Sequence, residues 1–235
     1  MTFSQATSIS NRLLSSLPSN DRDRLLANCE SVELTFSEVL YRADELISHV
    51  YFPTGGFISL VTPIDGKANL EVGLIGNEGM LGITLILGVD VVPFYALVHG
   101  SGSALRITAS SFLRELEHSP TLQAVLKRYL YVLMKQLAQT AACTRFHLLE
   151  ARLARWLLMT QDRAHSDHLH ITHVFLAYIL GVRRVGITKA ANSLLNKNLI
   201  SYQRGDIVIR DRIGLEAASC GCYQVDKDTY RRILG

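Results

Sequence analysis

The 235-residue chain is poor in cysteine, proline and tryptophan, with four, five and one respectively. Four scattered cysteines (Cys29, Cys143, Cys220 and Cys222) do not make a disulfide scaffold, and they point to a reducing, cytoplasmic setting. Long uncharged apolar runs are lacking too. The best candidate for a bilayer span, Leu81 to Val98, contains Asp90 and Pro93 and is rich in glycine and β-branched residues. Such a stretch suits buried strands, so no membrane association is expected. Met1 to Pro18 shows no basic region followed by an apolar block, and no secretory signal is expected there. No nucleophile–base–orienter set, phosphate loop or metalloprotease helix is visible, which argues against an enzyme. What remains is ordinary globular protein. Hydrophobic residues make up 48% and charged residues 19%, over a length that suits two modest domains.

The net charge of +3 hides an asymmetry. Up to residue 143 there are 10 Lys/Arg against 13 Asp/Glu; beyond it there are 14 against 8. A basic carboxy-terminal third behind a mildly acidic front suggests that this end meets a polyanion.

Three textures follow one another without internal repeats. Residues 9–30 read as a short amphipathic helix, with Ile9, Leu13, Leu14 and Leu17 before Pro18 and Leu25 and Leu26 after it. From Val32 to about Thr108, short apolar runs are broken by turn residues, including Pro53-Thr54-Gly55-Gly56, Gly76-Asn77-Glu78-Gly79 and Gly100-Ser101-Gly102. Turn signals about every ten residues predict an all-β barrel or sandwich. Asp65-Gly66, between Phe57–Ile64 and Ala68–Leu74, marks a hairpin.

Ser119-Pro120 then opens a long helix. Leu122, Val125, Tyr129, Val132 and Gln136 share one face, and Leu126, Leu130, Leu133, Leu137 and Ala141 a neighbouring one. A helix apolar on two faces needs two partners. One can be the β-domain; the other is expected to be the same helix of a second copy, unless both lie within one subunit. A further helix is expected over about Phe146–Met159, and Ala164–His170 reads as a loop.

The clearest signal follows. Thr172 is a natural N-cap for His173–Leu180, and Gly181 sits where two steeply crossing helices need a positive φ. The second helix, about Arg183–Lys197, buries Ile187, Ala190, Ala191, Leu194 and Leu195 and turns Arg183, Arg184, Val185, Thr188, Lys189 and Asn192 outward. Guanidinium forks match guanine, amides match adenine, and Thr or Val can meet a thymine methyl. Two alternating strands around Arg204-Gly205-Asp206 then form a β-wing, with Arg204 placed for a backbone phosphate. The pair, the wing and the basic outward face together predict binding to double-stranded DNA.

Ile171-Thr172 through Leu180-Gly181-Val182-Arg183-Arg184 and on to Asn198-Leu199-Ile200 resembles the winged helix-turn-helix of the Crp/Fnr superfamily of bacterial transcription regulators. Val72–Met80 and Leu215–Tyr223 look like stretches of its members that do not bind cyclic AMP. The resemblance spans residues 10–235. It implies an α+β chain: an N-terminal antiparallel β-roll of the double-stranded β-helix or jelly-roll type over 1–118, a long dimerisation helix over 119–144, and a C-terminal winged helix-turn-helix over 145–235. It also implies a cytoplasmic homodimer whose recognition helices enter successive major grooves, RNA polymerase as a further partner, and a hinge near Cys143–Leu149. The family's base-reading Arg, Glu and Arg match Arg184, Val185 and Lys189 here. Val185 replaces a carboxylate, which removes the contact that would read one base of the family's best-known half-site. His173-Val174-Phe175 also departs from the polar pattern usual in the first helix.

The family's cyclic-nucleotide pocket pairs a Gly-Glu-Leu turn with an Arg-Ser or Arg-Ala. Here the turn reads Met80-Leu81-Gly82-Ile83-Thr84 and the arginine position falls at Val92-Pro93. Both charged partners are missing, so cyclic AMP is not the expected effector, and no cofactor is expected. Cys29 stands apart from any iron–sulfur cluster motif. His49 and His99 read as ordinary strand or turn histidines rather than haem ligands. Cys220 and Cys222 could bind metal or form a redox switch, though a lone C-x-C reads better as structural. The cluster His165, Asp167, His168, His170 and His173 has metal-ligand chemistry but no downstream ligand pair, and no metal is assigned to it. A rival reading makes the chain a signalling or scaffold module whose winged helix binds a protein through Val174, Phe175 and Val185.

Overall fold

The structure is a computed structural model that describes residues 11–64, 68–203 and 205–235. The hairpin turn expected at Asp65-Gly66 lies outside the described residues, as do Ile9 and Arg204. Two short helices, α1 (Arg12–Ser15) and α2 (Ser19–Leu26), replace the single amphipathic helix, because Pro18 separates them. Asn11 is fully buried and fastens this region to the roll. Its Oδ1 accepts from Leu14 N and its Nδ2 donates to the carbonyls of Pro53 and Gly79, both at 2.9 Å.

The roll is antiparallel throughout. Strands β1 (Glu30–Leu34), β2 (Val39–Tyr41), β3 (His49–Ile64), β4 (Ala68–Ile75) and β5 (Tyr95–Thr108) form a sheet in the order β1-β5-β3-β4, with β2 also paired to β5. The long central strand β3 shifts register against β5 at Pro53, Gly55 and Phe57. Gly56 allows this bend: its φ is 73°, and a Cβ there would lie 2.2 Å from the Gly100 carbonyl oxygen. Between β4 and β5 the chain forms a 3-10 helix, Ile83–Leu87, where buried strands were expected. Glycines at φ 99° and 73° bracket it, so Gly82 and Gly88 end the extended run before it can pair.

After α3 (Ala109–His118), the long helix α4 (Pro120–Phe146) starts where the sequence places it. Ser119 Oγ accepts from Leu122 N at 3.0 Å. Leu122, Val125, Leu126, Tyr129, Val132, Leu133 and Gln136 are all buried, packed among β4, the 3-10 helix and the C-terminal helix α9 (Cys222–Leu234). Both apolar strips are thus largely covered within the chain, so neither is left as a free face for a second copy. Leu130 and Leu137 pack on the core of the roll and Ala141 stays exposed, while α9 covers α4 from a further side. The helix stops at His147 and Leu148, both extended with ψ of 147° and 148°. Its successor α5 begins at Leu149, later than expected, and runs to Ala164.

Helix α5 is the hub of the carboxy-terminal half. Against it pack α7 (Arg184–Asn196) and α8 (Arg212–Ala218); α6 (His173–Ile179) packs on α7 and β4, and a small sheet, β6 (His168–His170), β8 (Asp206–Ile209) and β7 (Ile200–Gln203) in that order, completes this half. Strand β6 occupies part of the stretch expected as a loop. One apolar core runs across both halves, joining Phe57, Val61 and Leu74 of the roll to Trp156, Leu157, Leu176 and Ile179. Trp156 Nε1 donates to Glu71 at 2.7 Å, Arg163 pairs with Glu78 at 2.6 Å, and the Phe175 ring meets His99 edge-on at 4.5 Å. Phe175 is therefore a packing contact, and Val174 remains 59% exposed.

Candidate nucleic-acid interface

Thr172 caps α6 as its sequence position predicts, its Oγ1 accepting from Phe175 N at 3.2 Å. The chain then turns through Gly181 at φ 63°, where Val182 N donates to the Ala177 carbonyl. Leu176 and Ile179 of α6 face Ile187, Ala190, Ala191 and Leu194 of α7, all buried. Small residues at 190 and 191 let the two helices approach closely.

This packing fixes which residues face away. Arg183, Arg184, Val185, Lys189 and Asn192 are exposed along one side of α7 and its entry. Thr188 is half-buried instead of fully outward: its Oγ1 donates to the Arg184 carbonyl at 3.2 Å and lies 3.1 Å from His173 Nδ1. The His173 ring stacks on Tyr202 of the wing at 4.3 Å, so Thr188 and His173 tie α7 to α6 and β7. Leu195, expected in the core, is 38% exposed near the end of the helix.

The electrostatics of α7 are unusual for a helix start. Arg183 is the N-cap, makes no side-chain cap, and no acid follows in the first turn. Two cations at the positive end of the helix dipole cost the isolated helix about 0.3–1 kcal/mol each. Among the described residues neither they nor Lys189 form an ion pair. An external anion would relieve all of this at once.

The wing is a two-stranded antiparallel ribbon, Ile200 opposite Ile209 and Gln203 opposite Asp206, with Gly205 at φ 91°. Beside it, β6 pairs with β8, and His170 lies 2.7 Å from Asp206 with both side chains exposed. The histidine-rich stretch does not converge on one point. His170 goes to Asp206 and His173 to Thr188, while Asp167 accepts from Gln161 at 2.6 Å. Among the described residues, the ligating side chains that do converge are Cys143, His147, Cys220 and Cys222. Sequence reasoning missed this set because its two halves lie more than seventy positions apart.

Residues 151–218 match the family model of the Crp-like helix-turn-helix domain. The chain carries a Crp-like helix-turn-helix. No curated protein matches the sequence. Among solved structures, the chain is similar to FixK2 from Bradyrhizobium japonicum, with 14% identity, a TM-score of 0.69, and coverage of 82% of this chain and 98% of that one. The c-di-GMP-responsive global regulator CLP of Xanthomonas campestris gives 15% identity and a TM-score of 0.67 over 82% and 99%. A CRP/FNR-family transcriptional regulator from Thermus thermophilus gives 20% and 0.66 over 81% and 98%. The fold is that of the Crp/Fnr regulators: antiparallel roll, long helix and helix-turn-helix in the same order. The Xanthomonas and Thermus proteins are described as regulators. No helix among the described residues is long and apolar enough to cross a membrane.

Proposed function

We propose that the chain is a sequence-specific DNA-binding transcription regulator that acts as a homodimer and is not controlled by cyclic AMP. The observation that carries this reading is the set of unneutralised cations on the outward side of α7 and its entry. Arg183, Arg184 and Lys189 stand exposed without a carboxylate partner on a rigidly packed helix, a cost to the fold that a phosphate backbone offsets. Arg184, Val185, Lys189 and Asn192 then read base edges, and Thr172 and Arg204 contact the backbone.

Dimerisation is assigned to a strip of α4 that the chain leaves uncovered. Lys127, Tyr131, Met134, Ala138, Ala141 and Arg145 are all exposed and recur at alternating intervals of four and three. Tyr131 is 49% and Met134 60% exposed. This spacing is that of a coiled-coil seam, and its small alanines allow close approach of a second α4. Apart from Ala141, these residues lie outside the two apolar strips that periodicity picks out.

Support for a non-cyclic-nucleotide effector comes from the roll. Val92 is buried in the apolar core, and the Met80–Phe94 stretch holds no cation, its one charged residue being the exposed Asp90. A cyclic phosphate placed there would lack a counter-charge. RNA polymerase is the partner that the regulator reading calls for. The test is selection of bound duplexes from random sequence: a two-fold symmetric site, with affinity falling steeply as salt rises, supports the reading. Binding to a protein partner that is indifferent to salt, with no duplex enriched, supports the scaffold reading instead.

A further inference from the structure

Cys143 sits in the last turn of α4, and His147 is the residue that ends it. Cys220 and Cys222 flank Gly221 in the turn from α8 to α9. The fold brings these pairs together. Cys143 Sγ lies 3.4 Å from Cys220 Sγ, Cys222 Sγ lies 3.4 Å from His147 Nδ1, and all four ligating atoms fall within 4.8 Å of one another. The three cysteines are buried and free, and the histidine is exposed.

We propose that Cys143, His147, Cys220 and Cys222 form a tetrahedral site for one zinc ion. With Zn–S of about 2.3 Å and Zn–N of about 2.0–2.1 Å, a tetrahedral ion holds two thiolates about 3.8 Å apart and a thiolate and imidazole about 3.6 Å apart. The two 3.4 Å contacts need only a few tenths of an ångström of adjustment, and the wider pairs, all within 4.8 Å, close by at most about 1 Å. Soft thiolates with one imidazole select zinc over the hard cations that prefer oxygen. The 4.8 Å envelope accommodates one ion and is too tight for an iron–sulfur cluster.

The surroundings fit the charge. Three thiolates and Zn²⁺ sum to a single negative charge. The Arg152 guanidinium, half-buried beside Cys143 and Cys220, has no carboxylate partner among the described residues and donates to the Leu180 carbonyl at 2.6 Å. The neighbouring Arg155 pairs with Asp226 at 2.7 Å, keeps a buried Nε without a hydrogen bond, and acts electrostatically on Cys143 and Cys222. An anionic metal centre supplies the counter-charge that Arg152 lacks. Gln139 adds an outer contact, its Nε2 donating to Cys222 Sγ at 2.9 Å, as the groups that orient metal-bound sulfur do.

Such an ion would staple the end of α4 to the α8–α9 turn, across the break at His147 and Leu148 that leads into the helix-turn-helix. The inference stands apart from the DNA reading, because its readout is metal.

The experiment is elemental analysis of the full chain, expressed with zinc and purified under reductant. One zinc ion per chain is expected, and Co²⁺ exchanged into the site should show thiolate-to-cobalt charge transfer with intense tetrahedral d–d bands. His147→Ala removes an exposed side chain, so the chain should keep its circular dichroism while zinc affinity falls at least about tenfold, no less than the loss of an outer contact costs. Cys220→Ser should abolish stoichiometric metal. A folded, reduced chain with no bound zinc and no cobalt spectrum overturns the proposal. So does zinc retained undiminished in both variants, or a Cys143–Cys220 disulfide in protein kept from air.

Discussion

Glu71 offers a direct measurement of how the two halves are joined. Its carboxylate is buried on β4, accepts from Trp156 Nε1 of α5, and leaves Oε2 without a hydrogen bond. Burial pushes its pKa from 4.5 up to about 7, and the Ser59 hydroxyl, the Trp156 donation and the charges of Arg163 and Arg155 offset this only in part. The unfolded chain gives up this proton near pH 4.5 and the folded chain holds it to about 7, so folding loses stability as pH rises through that window. The loss is absent below the window and complete above it. At about 1.4 kcal/mol per pH unit it amounts to about 3 kcal/mol, an upper value if water reaches the site. On the same side of the interface, on β5, burial lowers His99 from 6.5 to about 4. That group acts in the opposite sense, its contribution being lost as pH falls from 6.5 toward 4, so the two slopes partly cancel in the wild-type chain. The informative quantity is therefore the difference between wild type and Glu71→Gln, which mimics the protonated acid. Urea unfolding between about pH 5 and pH 8 should show the variant gaining on the wild type by up to about 3 kcal/mol as pH rises. Parallel stability curves across that range would refute the assignment of a strained carboxylate to this interface.

Three other outcomes follow from the geometry. Arg184→Ala should weaken binding to a selected duplex by about 1–3 kcal/mol and relax preference at one base position; equal losses on random duplexes would make Arg184 a phosphate contact. Met134→Glu places a charge in the α4 seam and should convert a dimer to monomer in sedimentation equilibrium without changing helicity, whereas an unaltered dimer would place the interface elsewhere. Gly181→Ala should destabilise the chain by about 1–2 kcal/mol, because φ is 63° and the new Cβ would sit 3.1 Å from Leu70 Cδ1; unchanged chemical denaturation would show that the turn relaxes.

The local signals in the sequence read well where one segment carries its own partner. Ser119-Pro120, Thr172 and Gly181 mark helix ends through caps and backbone conformation, which depend on neighbours three or four residues away, and the structure places them accordingly. Periodicity also found both apolar strips of α4. It could not say what covers the helix, since α9 lies about ninety residues further on and meets α4 only in three dimensions. The same limit hid Glu71 against Trp156 and the meeting of Cys143 with Cys220, both products of long-range packing. Within the candidate interface, the outward set was legible except at Thr188, where a hydrogen bond to the Arg184 carbonyl and the nearby His173 ring draw the hydroxyl inward. No helical period encodes that contact.

The apolar core that crosses from Phe57, Val61 and Leu74 to the helices around Trp156 bears on how such a molecule melts. Because the halves share this core, calorimetry should register a single endotherm, and either half produced alone would expose an apolar face that invites self-association. An effector that swings the halves apart must wet that surface, so its action would leave a positive heat-capacity change and grow easier in the cold.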